Sequence, residues 1–340
     1  MRLFQLIVAG GFCLALSGCY YAQAARGQLE VLRKREPIAD VIGDPETPYE
    51  LAERLRLVQA AREFSVSELG LPDNKSYQTF SDLERDYVVW NVFAAPEFSL
   101  VPKQWCYPVA GCVSYRGYFR KEAAEREAQR LLDDDYDVHM GGVAAYSTLG
   151  KFHDPVLNTM MRWDDVQLVS VLFHELAHQL LYVKGDTAFN ESFATAVEEF
   201  GIGRFLKSRD QSADFAAYVA NKAVRRELMQ SVAGARGDLK RLYAQDIGAD
   251  EMRDRKQQRI DKLQDEIREL LLAAGRSADN WLVKPLNNAR IASLSLYEGR
   301  VPEFRVMLAA CADDLPCFYA ESQRIAKLDK TDRDAYLDAL

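Results

Sequence analysis

The sequence contains few histidines, few cysteines and no excess of basic residues, and each shortage reduces the range of functions that the protein can have. Four histidines occur in 340 residues, so a histidine-based metal site has few arrangements open to it. The formal net charge is −8, which argues against nucleic acid as a partner because phosphate binding needs a basic face. No internal repeat is evident. With 48% apolar and 28% charged residues, the composition is that of a globular protein with one large domain or two modest ones.

The amino-terminal segment is typical of an export signal rather than of a folded element. Arg2 precedes the apolar run Leu3–Leu16, which is shorter than the roughly 20 residues of a membrane-spanning helix. The run ends in Leu16-Ser17-Gly18-Cys19, which resembles a bacterial lipobox. We therefore expect residues 1–18 to be a signal peptide and Cys19 to be acylated, with a plain cleavable signal as the alternative. Tyr20 is not the aspartate that often marks inner-membrane retention, which favours the periplasmic face of the outer membrane.

The remaining cysteines form two pairs with the same spacing. An exported chain folds in an oxidising compartment, so we expect the disulfides Cys106–Cys112 and Cys311–Cys317. Cys13 is removed with the signal peptide. Metal binding by these cysteines is the weaker interpretation, because no histidine lies near either pair.

The segment His174-Glu175-Leu176-Ala177-His178 predicts a zinc hydrolase site. Residues i and i+4 share one face of a helix, so His174 and His178 can bind one Zn²⁺ ion. Glu175 can then take a proton from a bound water as general base. A catalytic zinc needs three protein ligands, so one must come from elsewhere. The alternative is a pair of buried structural histidines.

The sequence predicts two consecutive helices around this motif. The capping-box-like Asp164–Gln167 begins the first helix, Val166–Val183, whose apolar positions form a broad face. Gly185 ends it, and a second helix then covers Glu191 to about Phe205. If the second helix reverses direction, its first turn meets the last turn of the first, which favours Glu191 as the third zinc ligand.

Two other carboxylates near the turn have different expected roles. Asp186 is expected to cap the second helix. Glu198 is expected to orient the imidazoles from behind the metal, although it can equally be an exposed helix carboxylate.

His174–Gln179, Asn190–Ala194 and Val197-Glu198 resemble the zinc-binding helices of the gluzincin metallopeptidases, above all the aminopeptidase N group. The resemblance implies that the two histidines and Glu191 bind zinc and that Glu175 is the base. Two features depart from that group. Twelve residues separate His178 from Glu191, fewer than is usual, and the Gly-Ala-Met-Glu-Asn strand that binds the substrate's amino terminus is absent.

Over nearly its full length the chain resembles a bacterial lipoprotein family named "putative aminopeptidase". The segments that carry this resemblance are Tyr21–Ala24, Gly111–Phe119, Ala145–Gly150 and Asn287–Arg290. It implies an aminopeptidase activity.

The stretch Asp137–Leu149 is predicted to be a strand just before the zinc helix. In zinc peptidases of this shape a sheet-edge strand pairs with the substrate backbone, and glycines allow close approach of another backbone. An ordinary core strand is the alternative. His139 and His153 are expected to be structural. The predicted substrate strand consists of Gly142, Val143, Ala144, Ala145 and Tyr146.

We therefore expect a predominantly helical α+β fold of the zincin type. Its small sheet would place an edge strand on the helix that carries the motif, and a helical region would follow. In the mature chain, 19–340, residues 19–48 would lie near the membrane, 49–205 would form the sheet and zinc helices, and 206–340 would be helical. The helices in 210–275 would form a charged hairpin, either a lid or a protein-partner surface.

The predicted function is a zinc metallopeptidase, with aminopeptidase favoured by the family name. A periplasmic zinc endopeptidase stays open. A non-catalytic lipoprotein that serves as an assembly or chaperone surface also stays open, although an intact Glu175 argues against it. The oxyanion needs a further donor, for which Tyr297 ranks first and Tyr146 second, each with a packing role as the alternative.

Overall fold

The computed structural model describes residues 20–107, 111–294 and 299–340. It is a predominantly helical α+β structure with small sheets. Cys19, Tyr297 and the predicted signal peptide lie outside the described residues. In the part of the chain that is described, no helix is long and apolar enough to cross a membrane.

Helices dominate the chain from end to end. They are α1 (20–33), α2 (Ile38–Gly43), α3 (Tyr49–Ser67), α4 (Lys121–Asp133), α5 (Asp165–Leu180), α6 (Thr187–Ser208), α7 (Ser212–Tyr243), α8 (Ala249–Ala273), α9 (Asp279–Leu282), α10 (Asn288–Leu294), α11 (Val301–Ala310), α12 (Leu315–Ala326) and α13 (Lys330–Asp338). The strands are β1 (Arg35–Pro37), β2 (Thr79–Ser81), β3 (Val89–Pro96), β4 (Trp105–Tyr107), β5 (Gly111–Val113), β6 (Arg116–Tyr118), β7 (Tyr136–Val143) and β8 (Val156–Leu157).

The strands form small sheets with short registers. One sheet has the order β1-β2-β8, a second has the order β6-β3-β7, and β4 pairs with β5. In the second sheet β3 and β7 are antiparallel from Val89 opposite Val143 to Pro96 opposite Tyr136. Strand β7 is therefore at an edge of this sheet, and helices α4 and α10 pack against it.

Helix α5 lies in the main apolar core. Its residues Leu168, Leu172, Phe173 and Leu176 are each at most 2% exposed, and its main neighbours are α6 and α3. The carboxy-terminal helices close the same core, where Phe304 of α11 and Phe318 of α12 pack against α6. A helix buried on this scale is held by packing, which keeps its side chains in fixed positions.

Helices α7 and α8 form the predicted hairpin, with a core of their own. The apolar row along their contact is fully buried, so the hairpin is more than a solvated pair of charged helices. Helix α7 continues without a break through Gly234 and Gly237 to Tyr243. The buried residues of this second core include Leu228, Val232, Leu239, Ile260, Leu263 and Ile267.

One local prediction was wrong. The predicted strand Asp137–Leu149 ends at Val143, because the following residues turn back through a loop that Asp154 holds.

The two predicted disulfides are formed in the structure. Cys106–Cys112 joins β4 to β5. Cys311–Cys317 joins the end of α11 to the first turn of α12. Each bond closes a short local loop, so its constraint on the unfolded chain is local.

Candidate metal centre

The turn between α5 and α6 is locked by side chains, which sets how the two helices face each other. Asp164 caps α5 by accepting from Gln167 N at 2.7 Å. After α5 ends, the amide of Asn190 bonds both backbone groups of Val183, at 2.7 and 2.8 Å. Asp186 caps α6, as predicted. The helices are therefore antiparallel neighbours with a defined register.

Buried charge strengthens this turn. Asp186 is 4% exposed and accepts from Arg333 of α13 at 2.8 and 3.0 Å. Two guanidinium nitrogens donate to the one oxygen Oδ2, while Oδ1 accepts from Phe189 N, so both oxygens of this buried carboxylate are held. Asp186 is thus committed to structure and is not free to bind a metal.

Three side chains converge across the α5–α6 contact. Nε2 of His174 and Nε2 of His178 lie 3.1 Å apart. Oε2 of Glu191 lies 3.4 Å from Nε2 of His174, and Oε1 of Glu191 lies 3.6 Å from Nε2 of His178. All three ligand atoms fall within 4.8 Å of one another, and among the described residues no other group of three or more histidines, cysteines or carboxylates comes together in this way. Glu191 is the fifth residue of α6, one turn later than the sequence predicted, because α6 begins at Thr187.

The spacing of these atoms fits a single tetrahedral metal ion. Zinc–nitrogen and zinc–oxygen bonds are about 2.0–2.2 Å, so ligand atoms around one tetrahedral ion lie about 3.3–3.6 Å apart. The two histidine nitrogens are 3.1 Å apart, and each lies within 3.6 Å of one oxygen of Glu191, which is close to that value. Two imidazoles and one carboxylate also leave a fourth position open, which is the donor set of a catalytic rather than a structural site.

Glu198 lies behind His174. Its Oε2 is 3.1 Å from Nδ1 of His174. Its other oxygen accepts from the phenol of Tyr218 at 2.9 Å and from the ammonium of Lys222 at 2.8 Å. Both donors belong to α7, and Glu198 is only 8% exposed. A carboxylate that holds the distal nitrogen of a ligating histidine fixes its orientation.

Sequence reasoning missed Tyr218 and Lys222. They lie four residues apart, which places them on one face of a helix. That face belongs to a hairpin that the sequence predicts to be charged, and no local signal distinguishes it from an exposed one. Only the packing of α7 on α6 brings it to Glu198.

Without a metal, the pKa values of His174 and His178 shift in opposite directions. Burial lowers the pKa of His174, but hydrogen bonds to Glu191 and Glu198 outweigh it and raise the pKa to about 10. Burial and the neighbouring His174 charge lower the pKa of His178 to about 4. One imidazole therefore carries the proton between the facing nitrogens. A bound metal takes that proton's place, since metal ligands must be deprotonated.

Glu175 is the second residue of the motif and lies against two loops. Burial raises the pKa of Glu175, whereas the charge of His174 and a hydrogen bond with Ser147 oppose the rise. A raised pKa suits a general base at neutral pH. Tyr77 is 3% exposed, and its burial, followed by the charge of Glu175, raises its pKa.

The two loops are tied to each other and to α5. Tyr77 N donates to Asp154 O at 2.6 Å, and the Asp154 carboxylate accepts from both the hydroxyl and the amide of Thr148, at 2.6 and 2.8 Å. Asn74 donates to Gln179 at 2.7 Å. Gln179 is one turn after Glu175, so this network covers the face of α5 that carries the base.

A cavity of about 1830 Å³ opens in front of these residues. It is bordered by α5, α6 and α7, and residues 142–145 of the predicted substrate strand also line it. Gly142 is required by local packing: a Cβ there would lie 2.4 Å from the Tyr87 ring. The close approach at this glycine is thus made by a side chain and not by a second backbone.

Of the two tyrosines proposed as oxyanion donors, the structure describes only Tyr146. Tyr146 packs edge-on against Phe119 with ring centroids 6.0 Å apart and is not among the cavity-lining residues. Tyr297 is outside the described residues. The chain that follows it does return to the site, since Arg300 N donates to Ser192 Oγ, next to Glu191.

Residues 19–337 match the model of the family described as "Putative aminopeptidase". The chain belongs to this family. The match covers α5, α6, the α7–α8 hairpin and the carboxy-terminal helices, and the family description suggests a peptidase. No curated protein and no solved structure matches the chain.

Proposed function

We propose that this member of the putative aminopeptidase family is a zinc-dependent peptidase. Aminopeptidase activity is the favoured form of the proposal, and endopeptidase activity is the alternative. The observation that carries the proposal is the convergence of His174, His178 and Glu191 within 4.8 Å. Two nitrogens and one oxygen with an open fourth position are the ligands that zinc prefers in hydrolases. The intact base at Glu175 favours an enzyme over a binding protein of the same fold.

The chain's own residues divide the work. When bound, the ion supplies Lewis acidity and lowers the pKa of a water molecule. His174, His178 and Glu191 hold the ion, and Glu198 holds the distal nitrogen of His174. Glu175 accepts the proton of the attacking water and returns it to the leaving amine.

The carboxy-terminal end of β7 is the proposed binding edge for the substrate backbone. Earlier on this strand, the carbonyls of Val138 and Met140 accept from Asn287 and Lys284, at 2.9 and 2.6 Å. Backbone groups alternate along a strand, so the carbonyl of Gly142 faces the same way as these two. Gly142 lines the cavity, where an extended peptide can pair with it.

The first experiment loads the purified full-length protein with zinc and measures hydrolysis of a peptide with a free amino terminus and of its acetylated twin. An aminopeptidase cleaves only the free form. Equal cleavage of both would favour the endopeptidase. That alternative is supported because Glu198 and Glu199 already pair with Lys222 and Arg305, so these cavity carboxylates are not free to bind a substrate's amino terminus. No cleavage of either at any zinc load would contradict the proposed function.

We further propose that the mature protein is an outer-membrane lipoprotein acylated at Cys19. The sequence Leu16-Ser17-Gly18-Cys19 after a short apolar run supports this proposal. Labelling cells with a palmitate analogue tests it, with Cys19→Ser as the variant and Cys13→Ser as the control. We expect label in wild type and control only. Equal label in Cys19→Ser would contradict lipid attachment at this residue.

A further inference from the structure

The charges along the cavity are unevenly paired. Most carboxylates away from the metal-binding group already have partners: Asp164 caps α5, Asp165 pairs with Arg54 at 3.6 Å, and Glu199 pairs with Arg305 at 2.6 Å. Glu198 is held by Lys222. Most carboxylates that line the cavity away from the metal-binding group therefore already have a partner within the protein.

Arginines on the same cavity are not committed in this way. Four of them line it and are exposed, and none makes an ion pair with a described carboxylate. Their absence from ion pairs is notable because the protein has 51 acidic residues for 43 basic ones. They are Arg209, Arg225, Arg226 and Arg276.

Two of these arginines have a fixed relation to the metal-binding group. Lys222 reaches Glu198 at 2.8 Å, and Glu198 reaches His174 at 3.1 Å. Arg225 and Arg226 follow Lys222 by three and four residues, so they continue its face of α7 one turn further, about 5.4 Å along the axis. The guanidinium groups are thus roughly 10 Å from the metal-binding group, a span of about three or four residues of extended peptide.

We infer that the cleft selects peptides that carry a carboxylate about three or four residues from the hydrolysed bond, and that Arg225 and Arg226 bind it. Guanidinium groups match carboxylates in charge and in planar, two-pronged geometry. The carboxylate can be the carboxy terminus of a short peptide or an acidic side chain in a longer one. This inference rests on the proposed peptidase function and adds a substrate class to it.

The test uses four peptides of one sequence, with Glu or Gln at the fourth position after the hydrolysed bond and with a free or an amidated carboxy terminus. The variant is the double substitution Arg225→Gln and Arg226→Gln in the full chain. The control is Arg236→Gln, which lies on the same helix, is exposed, and is not among the residues that line the cavity. Comparing the Glu and free-terminus arms identifies which carboxylate is bound.

Wild type should show kcat/KM about five- to tenfold higher for carboxylate-bearing peptides than for the neutral one, which is what two exposed ion pairs supply. The preference should be expressed mainly in KM and should weaken in 0.5–1 M salt, a range of about 3–4 Å Debye length. The double variant should lose the preference, whereas Arg236→Gln should behave as wild type. Equal preference in the double variant and wild type, or no preference in wild type, would overturn the inference.

A binding measurement separates this inference from the proposed function. Fluorescence anisotropy with the same four peptides, labelled, on the Glu175→Gln protein needs no turnover. If wild type cleaves nothing, the peptidase proposal fails, yet a five- to tenfold tighter binding of carboxylate peptides that disappears in the arginine double variant would still support the arginine site. If all four peptides bind equally, the site is refuted whether or not the enzyme is active.

Discussion

The phenol of Tyr218 donates to Glu198 at 2.9 Å, and this bond connects the hairpin to the metal-binding group. Both side chains are 8% exposed, so water cannot replace the donor easily. Glu198 in turn orients His174. A residue of α7 thereby supports His174 of α5, a proposed metal ligand, through a residue of α6.

The first prediction follows from that bond. Tyr218→Phe should lower the free energy of unfolding by about 1.5–3 kcal/mol, because a buried hydrogen bond to a charged acceptor is lost. Tyr319→Phe is the matched control: Tyr319 is also 8% exposed and donates at 2.7 Å to the neutral carbonyl of Leu69. Tyr319→Phe should lower the free energy of unfolding by about 0.5–1.5 kcal/mol. Urea unfolding measures both, and equal losses would show that the charge of Glu198 adds nothing.

The second prediction concerns the third metal ligand. Glu191→Ala should lose bound zinc in elemental analysis of the purified protein, because two imidazoles alone make an incomplete site. Glu198→Ala should retain zinc with affinity about 10–100-fold lower, since it removes only the partner of His174. The opposite pattern would transfer the ligand role to Glu198.

The third prediction concerns the base. Glu175→Gln should keep zinc content and thermal unfolding close to wild type but lower kcat about 10²–10⁴-fold, because the amide fills the same space and cannot accept a proton. Glu227→Gln, an exposed substitution on α7, controls for the loss of one negative charge. Wild-type hydrolysis by Glu175→Gln would remove this residue from the mechanism.

The fourth prediction is a pH dependence away from the metal. Burial, followed by the charges of Arg290 and Lys284, lowers the pKa of His139 to about 4. The unfolded chain binds a proton near pH 6.5 and the folded chain does not, so His139 makes the free energy of unfolding fall as pH drops from about 6.5 to 4.

His139→Gln should remove this part of the slope in urea unfolding of metal-free protein across that pH range. His153→Gln, at the exposed histidine, is the control and should leave the difference in place. A wild-type slope in His139→Gln would show that this imidazole titrates alike in both states.

The fifth prediction concerns the loop beside the base. Gly150 has φ +75°, and a Cβ there would lie 2.8 Å from Oε1 of Gln179. Gly150→Ala should therefore cost about 1–2 kcal/mol of unfolding free energy from backbone strain, and more from the displaced Gln179. Gly275→Ala has φ +70° and open space around it, so it should show the strain alone. Equal losses at both sites would mean that Gln179 yields freely.

Local chemistry in the sequence determined much of the site. The i, i+4 spacing of His174 and His178 requires only a helix, and the capping residues Asp164 and Asp186 mark where the helices begin. The disulfide pairs follow from spacing and compartment. Each of these features depends on residues a few positions apart, so it can be recognised without the fold.

Tertiary structure alone decided the rest. Glu191 and Glu198 are both carboxylates on α6, and only the antiparallel register with α5 directs one to the facing imidazole nitrogens and the other to Nδ1 of His174. Tyr218 and Lys222 are 20 and 24 residues beyond Glu198 in the chain, and α7 reaches Glu198 only through long-range packing. Burial energies depend on which faces meet, and the order of residues along one helix does not record that.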